Sequence, residues 1–189
     1  MSKWVYLRHM SKRVIYIFGT IVFVLLAIIG VQQYMLYQTK QYSPESIARY
    51  TSSDVSISVT YSRPSKKGRE IFGDLVPYGR WWRTGANEPT TIEVSRDITF
   101  GEDQLLPAGE YSLVTIPDAS SWQVIFNNRI PDWGTTYYPE SNVVNVSARV
   151  ELLPDVVELF TIDFTEENGT PALILAWDHT KVTVPFQVR

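Results

Sequence analysis

The 189-residue chain has no cysteine. That excludes a disulfide framework, a thiolate metal site and a cysteine nucleophile. Histidine is nearly absent as well: His9 and His179 fall on opposite sides of a long apolar run. A multi-histidine metal site within one chain is thereby excluded, and no cofactor or metal is expected. Three catalytic signatures are missing too: G-x-S-x-G, H-E-x-x-H and G-x-x-x-x-G-K-[ST]. The 11 prolines and 10 glycines are too few for collagen or a low-complexity chain.

What the sequence does have is one uncharged stretch of membrane length. The 18 residues VIYIFGTIVFVLLAIIGV open on Val14 and close on Val31. As a helix they span roughly 27 Å, close to the thickness of the hydrocarbon layer. Tyr34 and Tyr37 suit the interface beyond it. Lys3, Arg8, Lys12 and Arg13 precede the run with no acid among them, and the first basic residue after it is Lys40. The positive-inside rule then places the N-terminus in the cytoplasm and the rest outside. The competing reading is a cleaved signal peptide. Its apolar region would be unusually long, and Ile28 and Gly30 make a poor cleavage site. The expected organisation is a basic tail (1–13), a transmembrane helix with its interfacial extension (14–37), a polar linker (38–53) and a β-domain (54–189). Residues 45–50 within the linker can form a turn of helix.

Four of the 17 Lys and Arg precede the run, and none of the 20 Asp and Glu does, which leaves the part beyond Val31 at −7. So acidic a domain is a poor nucleic-acid binder, and no nucleic acid is expected as a partner. Its first strand is plain. Val55, Ile57, Val59 and Tyr61 alternate with Ser56, Ser58, Thr60 and Ser62, the period of a half-buried strand. Further strands are expected at 91–100, 110–116, 122–127, 143–152, 156–165, 171–177 and 181–188. Pro154-Asp155 and His179-Thr180 read as turns between them, and Asn168-Gly169 is a strong hairpin signal. Short strands at near-regular spacing imply an all-β domain, an antiparallel sandwich or jelly roll, preceded by one transmembrane helix.

One segment breaks the pattern. Residues 62–87, SRPSKKGREIFGDLVPYGRWWRTGAN, hold six basic residues against two acidic ones, for a net charge of +4. So long a connection in a compact β-domain is more often functional than idle. The run PSKKGREIFGDLVPYGRWWRTGANEPTTIEV, followed by LPAGEYSLVTIP and WQVIFNN, resembles the DUF2911 family of bacterial proteins of unknown function. The resemblance covers most of the outer part and none of the apolar run. It implies a β-sandwich in an exported setting, and it supplies no reaction. Pro89 departs from the alanine that the resemblance leads one to expect, and removes one backbone donor.

The candidate binding residues lie in this segment: Lys66, Lys67, Arg69, Tyr78, Trp82, Arg83, Asn87 and Glu88. Functionally, Arg83 would grip a carboxylate or phosphate through its planar fork, Asn87 would orient a polar group, and Trp82 or Tyr78 would stack on a ring. Glu88 would serve as an acid or base. Structurally, Arg83 pairs with Glu88, Asn87 fastens the loop backbone and Trp82 enters the core. The structural reading is the simpler one. Lys66, Lys67 and Arg69 likewise read first as a solvated basic turn, and otherwise as a contact for an anionic surface. The aromatic connection at Trp133, Tyr137 and Tyr138 either stacks on a ligand or caps one end of the domain.

The expected protein is thus a single-pass inner-membrane protein of a bacterium, with the lipid bilayer around residues 14–31 and a periplasmic domain that binds or assembles. A membrane protein complex or an envelope polymer is the expected partner. Two rivals stand beside that reading. One is an enzyme acting on envelope glycans, with Glu88 and a second carboxylate such as Asp74 or Glu93. The other is a structural subunit using the helix itself as its interface, through Gly19 and Gly30.

Overall fold

A computed structural model describes residues 12–101 and 103–189. Lys3, Arg8 and His9 of the basic tail, and Glu102, lie outside the described residues. The chain forms two compact units, one ending at Gln41 and one running from Tyr42 to Arg189. The first is carried by helix α1, Lys12–Tyr42, whose described residues bury nothing within the unit. Among the described residues it is the one helix long and apolar enough to cross a membrane. A membrane anchor and a signal sequence share those properties.

The second unit is an all-β antiparallel domain, as expected. Its strands are β1 (Glu45–Thr51), β2 (Ser56–Ser62), β3 (Thr91–Val94), β4 (Ile98–Phe100), β5 (Gln104–Leu106), β6 (Gly109–Ile116), β7 (Ser121–Asn127), β8 (Asn142–Glu167), β9 (Thr170–Pro185) and β10 (Gln187–Val188). Seven of them make one sheet in the order β1-β2-β3-β6-β7-β8-β9, and β10-β4-β5 make a second. The alternation read in β2 is real: Ile57, Val59 and Tyr61 are buried, with Val55 just ahead of them.

The large sheet curls until its first strands meet β8. Tyr61 Oη donates to Ile162 O at 3.0 Å, and Arg63 Nε to Phe160 O at 3.1 Å. Backbone bonds from Lys66 N to Glu158 O (2.8 Å) and from Phe160 N to Pro64 O (2.9 Å) continue the seam. The small sheet packs on the large one through Phe100, whose ring stacks on Phe126 at 4.7 Å. A second aromatic cluster joins Phe72, Trp82, Trp122, Phe160 and Trp177.

Several expectations about elements need correction. Residues 45–51, read as part of a linker with a helical turn, are strand β1, paired with β2 from Glu45↔Ser62 to Thr51↔Ser56. Only Ala48 of that strand is fully buried, so no alternation marks it. Pro154-Asp155 does not end a strand, because β8 runs through it with register shifts between Leu152 and Val157 and between Val157 and Thr161. A bulge leaves a residue outside the ladder, which is where a strand tolerates proline. The step at His179-Thr180 is likewise no turn. Asp178 adopts a left-handed φ of 56° and β9 carries on past it. The 91–100 run, read as one strand, is two, β3 and β4, because Ser95 Oγ accepts Ser56 N (2.8 Å) and Asp97 Oδ1 accepts Ala108 N (2.8 Å), which fixes a corner. The Asn168-Gly169 hairpin is present, with φ of 53° and 77° as its turn requires.

Candidate functional site

The segment between β2 and β3 lies against the seam where the sheet closes. Trp82 pairs its backbone with Thr115 in both directions, N to O at 2.7 Å and 3.0 Å, and Gly79 N donates to Pro117 O at 2.9 Å. Phe72 drops into the aromatic cluster, 4.8 Å from Trp122 and 6.2 Å from Trp82. The TGAN stretch is then held in an unusual backbone. Thr84 has φ 55° and Asn87 φ 59°, and both are buried. For a β-branched residue such as Thr84 that conformation is costly, on the order of 1–3 kcal/mol, and it persists only because neighbours over-determine it. The neighbours here are Thr90 Oγ1, which donates to Thr84 O at 2.8 Å, and Thr115 Oγ1, 3.1 Å from Thr84 Oγ1. Gly85 must be glycine: a Cβ there would lie 2.9 Å from Ser62 O.

This backbone frames a cleft of about 610 Å³, well within the roughly 300–1,000 Å³ of small-molecule sites. Trp82, Leu75 and Val76 give it apolar walls, and Trp177 of β9 reaches its floor. Trp82 and Trp177 stack at 5.9 Å with planes 15° apart. Its charged lining consists of Lys67, Arg69 and Arg83, and none of the lining residues is Asp or Glu. The cleft is therefore cationic within a domain that is acidic as a whole.

The three cations are held differently. Arg69 is engaged with its own loop, Nε donating to Lys66 O at 3.0 Å and Nη2 to Ser65 O. Lys67 sits with Nζ 4.4 Å from the centre of the Tyr42 ring, a cation–π contact. Arg83 is half-buried. Among the described residues its guanidinium makes one hydrogen bond, Nη1 to Asn87 O at a long 3.4 Å, although the group carries five N–H donors. Burial lowers its pKa from the usual value, and no acid contributes to that shift. Asn87 does fasten the loop, its Nδ2 donating to Ser43 O at 3.3 Å.

Of the residues singled out by sequence, Lys67, Arg69, Trp82, Arg83 and Asn87 line the cleft. Lys66 does not. Its Nζ turns to Asp178 Oδ2 at 2.6 Å and to Arg69 O at 2.8 Å. Tyr78 packs beside Gly73, where an added Cβ would come within 3.1 Å of its ring. Glu88 is not among the lining residues. Gly134 touches all three polar residues there: a Cβ on it would meet Asn87 O at 2.7 Å, Arg83 Cδ at 2.8 Å and Glu88 O at 3.1 Å. The aromatic connection is half-buried, with Tyr137 against Trp81 at 5.6 Å and Arg129 over Tyr138 at 3.6 Å. Trp177, Tyr42 and Ser43 were not legible as site residues, because chain distance separates them from the loop and only the closed sheet brings them to it.

The basic turn is clipped to β8 by Glu158, whose Oε1 accepts the Ser65 hydroxyl and Lys67 N (2.9 Å). Those bonds, the Ser65 bond foremost, hold the Glu158 carboxyl below its ordinary pKa. A depressed folded-state value stabilises the fold above the unfolded pKa, about 4.3 for Glu. The contribution is lost as pH falls through the lower folded value. The melting temperature is expected to fall on acidification below about pH 4, and Glu158→Gln to flatten that part of the profile. An identical acid limb in the variant would show that the clip does not titrate.

Comparison with curated proteins and with solved structures finds no match. The family model for DUF2911, a protein family of unknown function, matches residues 43–186. That stretch holds every residue lining the cleft except Tyr42, and the chain belongs to the DUF2911 family.

Proposed function

We propose that this chain is a membrane-anchored binding module: α1 crosses the inner membrane of a bacterium, the N-terminus stays in the cytoplasm and the β-domain binds its ligand in the periplasm. The cleft carries the reading. It has the volume of a small-molecule site, apolar walls, and a strained, over-determined loop at its edge, the combination in which binding sites are commonly built. The orientation rests on charge: Lys12 and Arg13 stand immediately before the apolar run, and Lys40 is the first cation after it. A glycan-cleaving enzyme would need two carboxylates facing one cleft, whereas the charged lining here is Lys67, Arg69 and Arg83.

The test of placement is a fusion after Arg189 to a reporter that is active only outside the cytoplasm, with the intact mass of the membrane-extracted protein measured alongside. An active reporter on an uncleaved chain is expected. Activity of a cytoplasm-only reporter at the same site would overturn the orientation, and a mature N-terminus near Val31 would overturn the anchor.

A further inference from the structure

We propose that the ligand of this cleft carries an oxyanion, a carboxylate or a phosphate, joined to an apolar ring or chain, and that Arg83 is the residue that holds the oxyanion. The inference deepens the binding-module reading and rests on it. A half-buried guanidinium with one long hydrogen bond is an unfinished arrangement, since its donor fork matches the two oxygens of a carboxylate or phosphate and gains most where water is excluded. A ligand oxyanion would supply the missing acceptors. Lys67 and Arg69 are exposed and line the same cleft, so an approaching anion meets positive potential before it reaches Arg83. The other walls exclude a bare inorganic anion as the natural occupant. Exposed Leu75 and the half-buried Trp82 present apolar surface that only a ligand with an apolar body covers. The lining offers no carboxylate to receive an ammonium or to repel the anion.

Two sources present this chemistry, a lipid headgroup and a free amphiphilic acid. The test uses the full-length protein in phosphatidylcholine nanodiscs. Intrinsic tryptophan fluorescence is followed during titration with phenyl phosphate, with benzoate and with the neutral phenyl glucoside. Saturable binding of an anion is expected, weakened about 10-fold or more in Arg83→Met, the scale of losing charge-assisted hydrogen bonds. A smaller loss, roughly threefold, is expected in Lys67→Gln, whose exposed side chain can be changed without disturbing the fold. Anion binding unchanged in both variants would overturn the inference. Tighter binding of phenyl glucoside, indifferent to Arg83, would overturn the oxyanion and leave the binding module standing. No binding of any of the three probes would remove both. Repeating the titration in phosphatidylglycerol nanodiscs separates the sources: competition by the lipid supports a headgroup ligand, and an unchanged affinity supports a free one.

Discussion

Trp177→Ala is expected to lower the stability of the β-domain by roughly 3–5 kcal/mol, the range for removing a buried tryptophan. At about 2–4 °C per kcal/mol for a domain of this size, the melting temperature should fall by 10 °C or so. Trp177 is 1% exposed. Its ring contacts Phe72, Trp82 and Phe160, and its Nε1 donates to Glu158 O at 3.2 Å. Removing it opens a cavity under the cleft, takes from Glu158 O one of its two donors and leaves Trp82 without its stacking partner. Calorimetry of the variant in detergent checks this. A loss under about 1 kcal/mol would mean that the cluster repacks and that the cleft floor is less rigid than its geometry implies.

The second large effect concerns α1. Val22→Arg combined with Leu25→Arg should abolish retention in the membrane. Each arginine at the centre of a spanning helix costs about 2.5–3.5 kcal/mol on the insertion scale, and two together cancel most of what the apolar run gains. The wild-type protein should stay with the membrane pellet after an alkaline carbonate wash, and the double variant should leave it. If the variant is retained equally well, the β-domain or a partner holds the protein there and α1 does not.

How far the fold was legible follows from how local its causes are. β2 declares itself because its own residues alternate, and the β8–β9 hairpin because Asn168 and Gly169 carry the backbone freedom the turn needs. β1 gives no such sign. Ala48 alone is buried, and Tyr50 finds its place only against Phe164 and Phe186, far along the chain. Pro154 misleads because a proline is a turn signal locally and a bulge residue once a neighbouring strand exists. The His179-Thr180 step misleads similarly: Asp178, just ahead of it, sits in β9 as the partner of Lys66. In the site, Arg83 and Asn87 are close because they are neighbours on one short loop, so spacing found them. Sequence alone also made a charge pair with Glu88 the economical reading of Arg83. Only the folded loop places Arg83 in the lining of a cleft. Trp177 and Tyr42 enter the lining through sheet closure, a non-local event that no short motif encodes.

The central claim is that Arg83 is present for a ligand and not for the fold. The most direct test is the melting temperature of ligand-free Arg83→Met. Methionine keeps the apolar stem beside Gly134 and removes the charge. Asn87 O keeps its other donor, Gly134 N at 3.2 Å. Among the described residues Asp178, Asp54 and Glu151 pair with Lys66, Arg96 and Lys181, and not with Arg83. A half-buried cation of this kind costs the fold free energy, so its removal should leave the melting temperature unchanged or raise it by a few degrees. A fall corresponding to about 3 kcal/mol or more is the signature of breaking a buried charge pair, and it would show that Arg83 is a fastener of the loop and contradict the account.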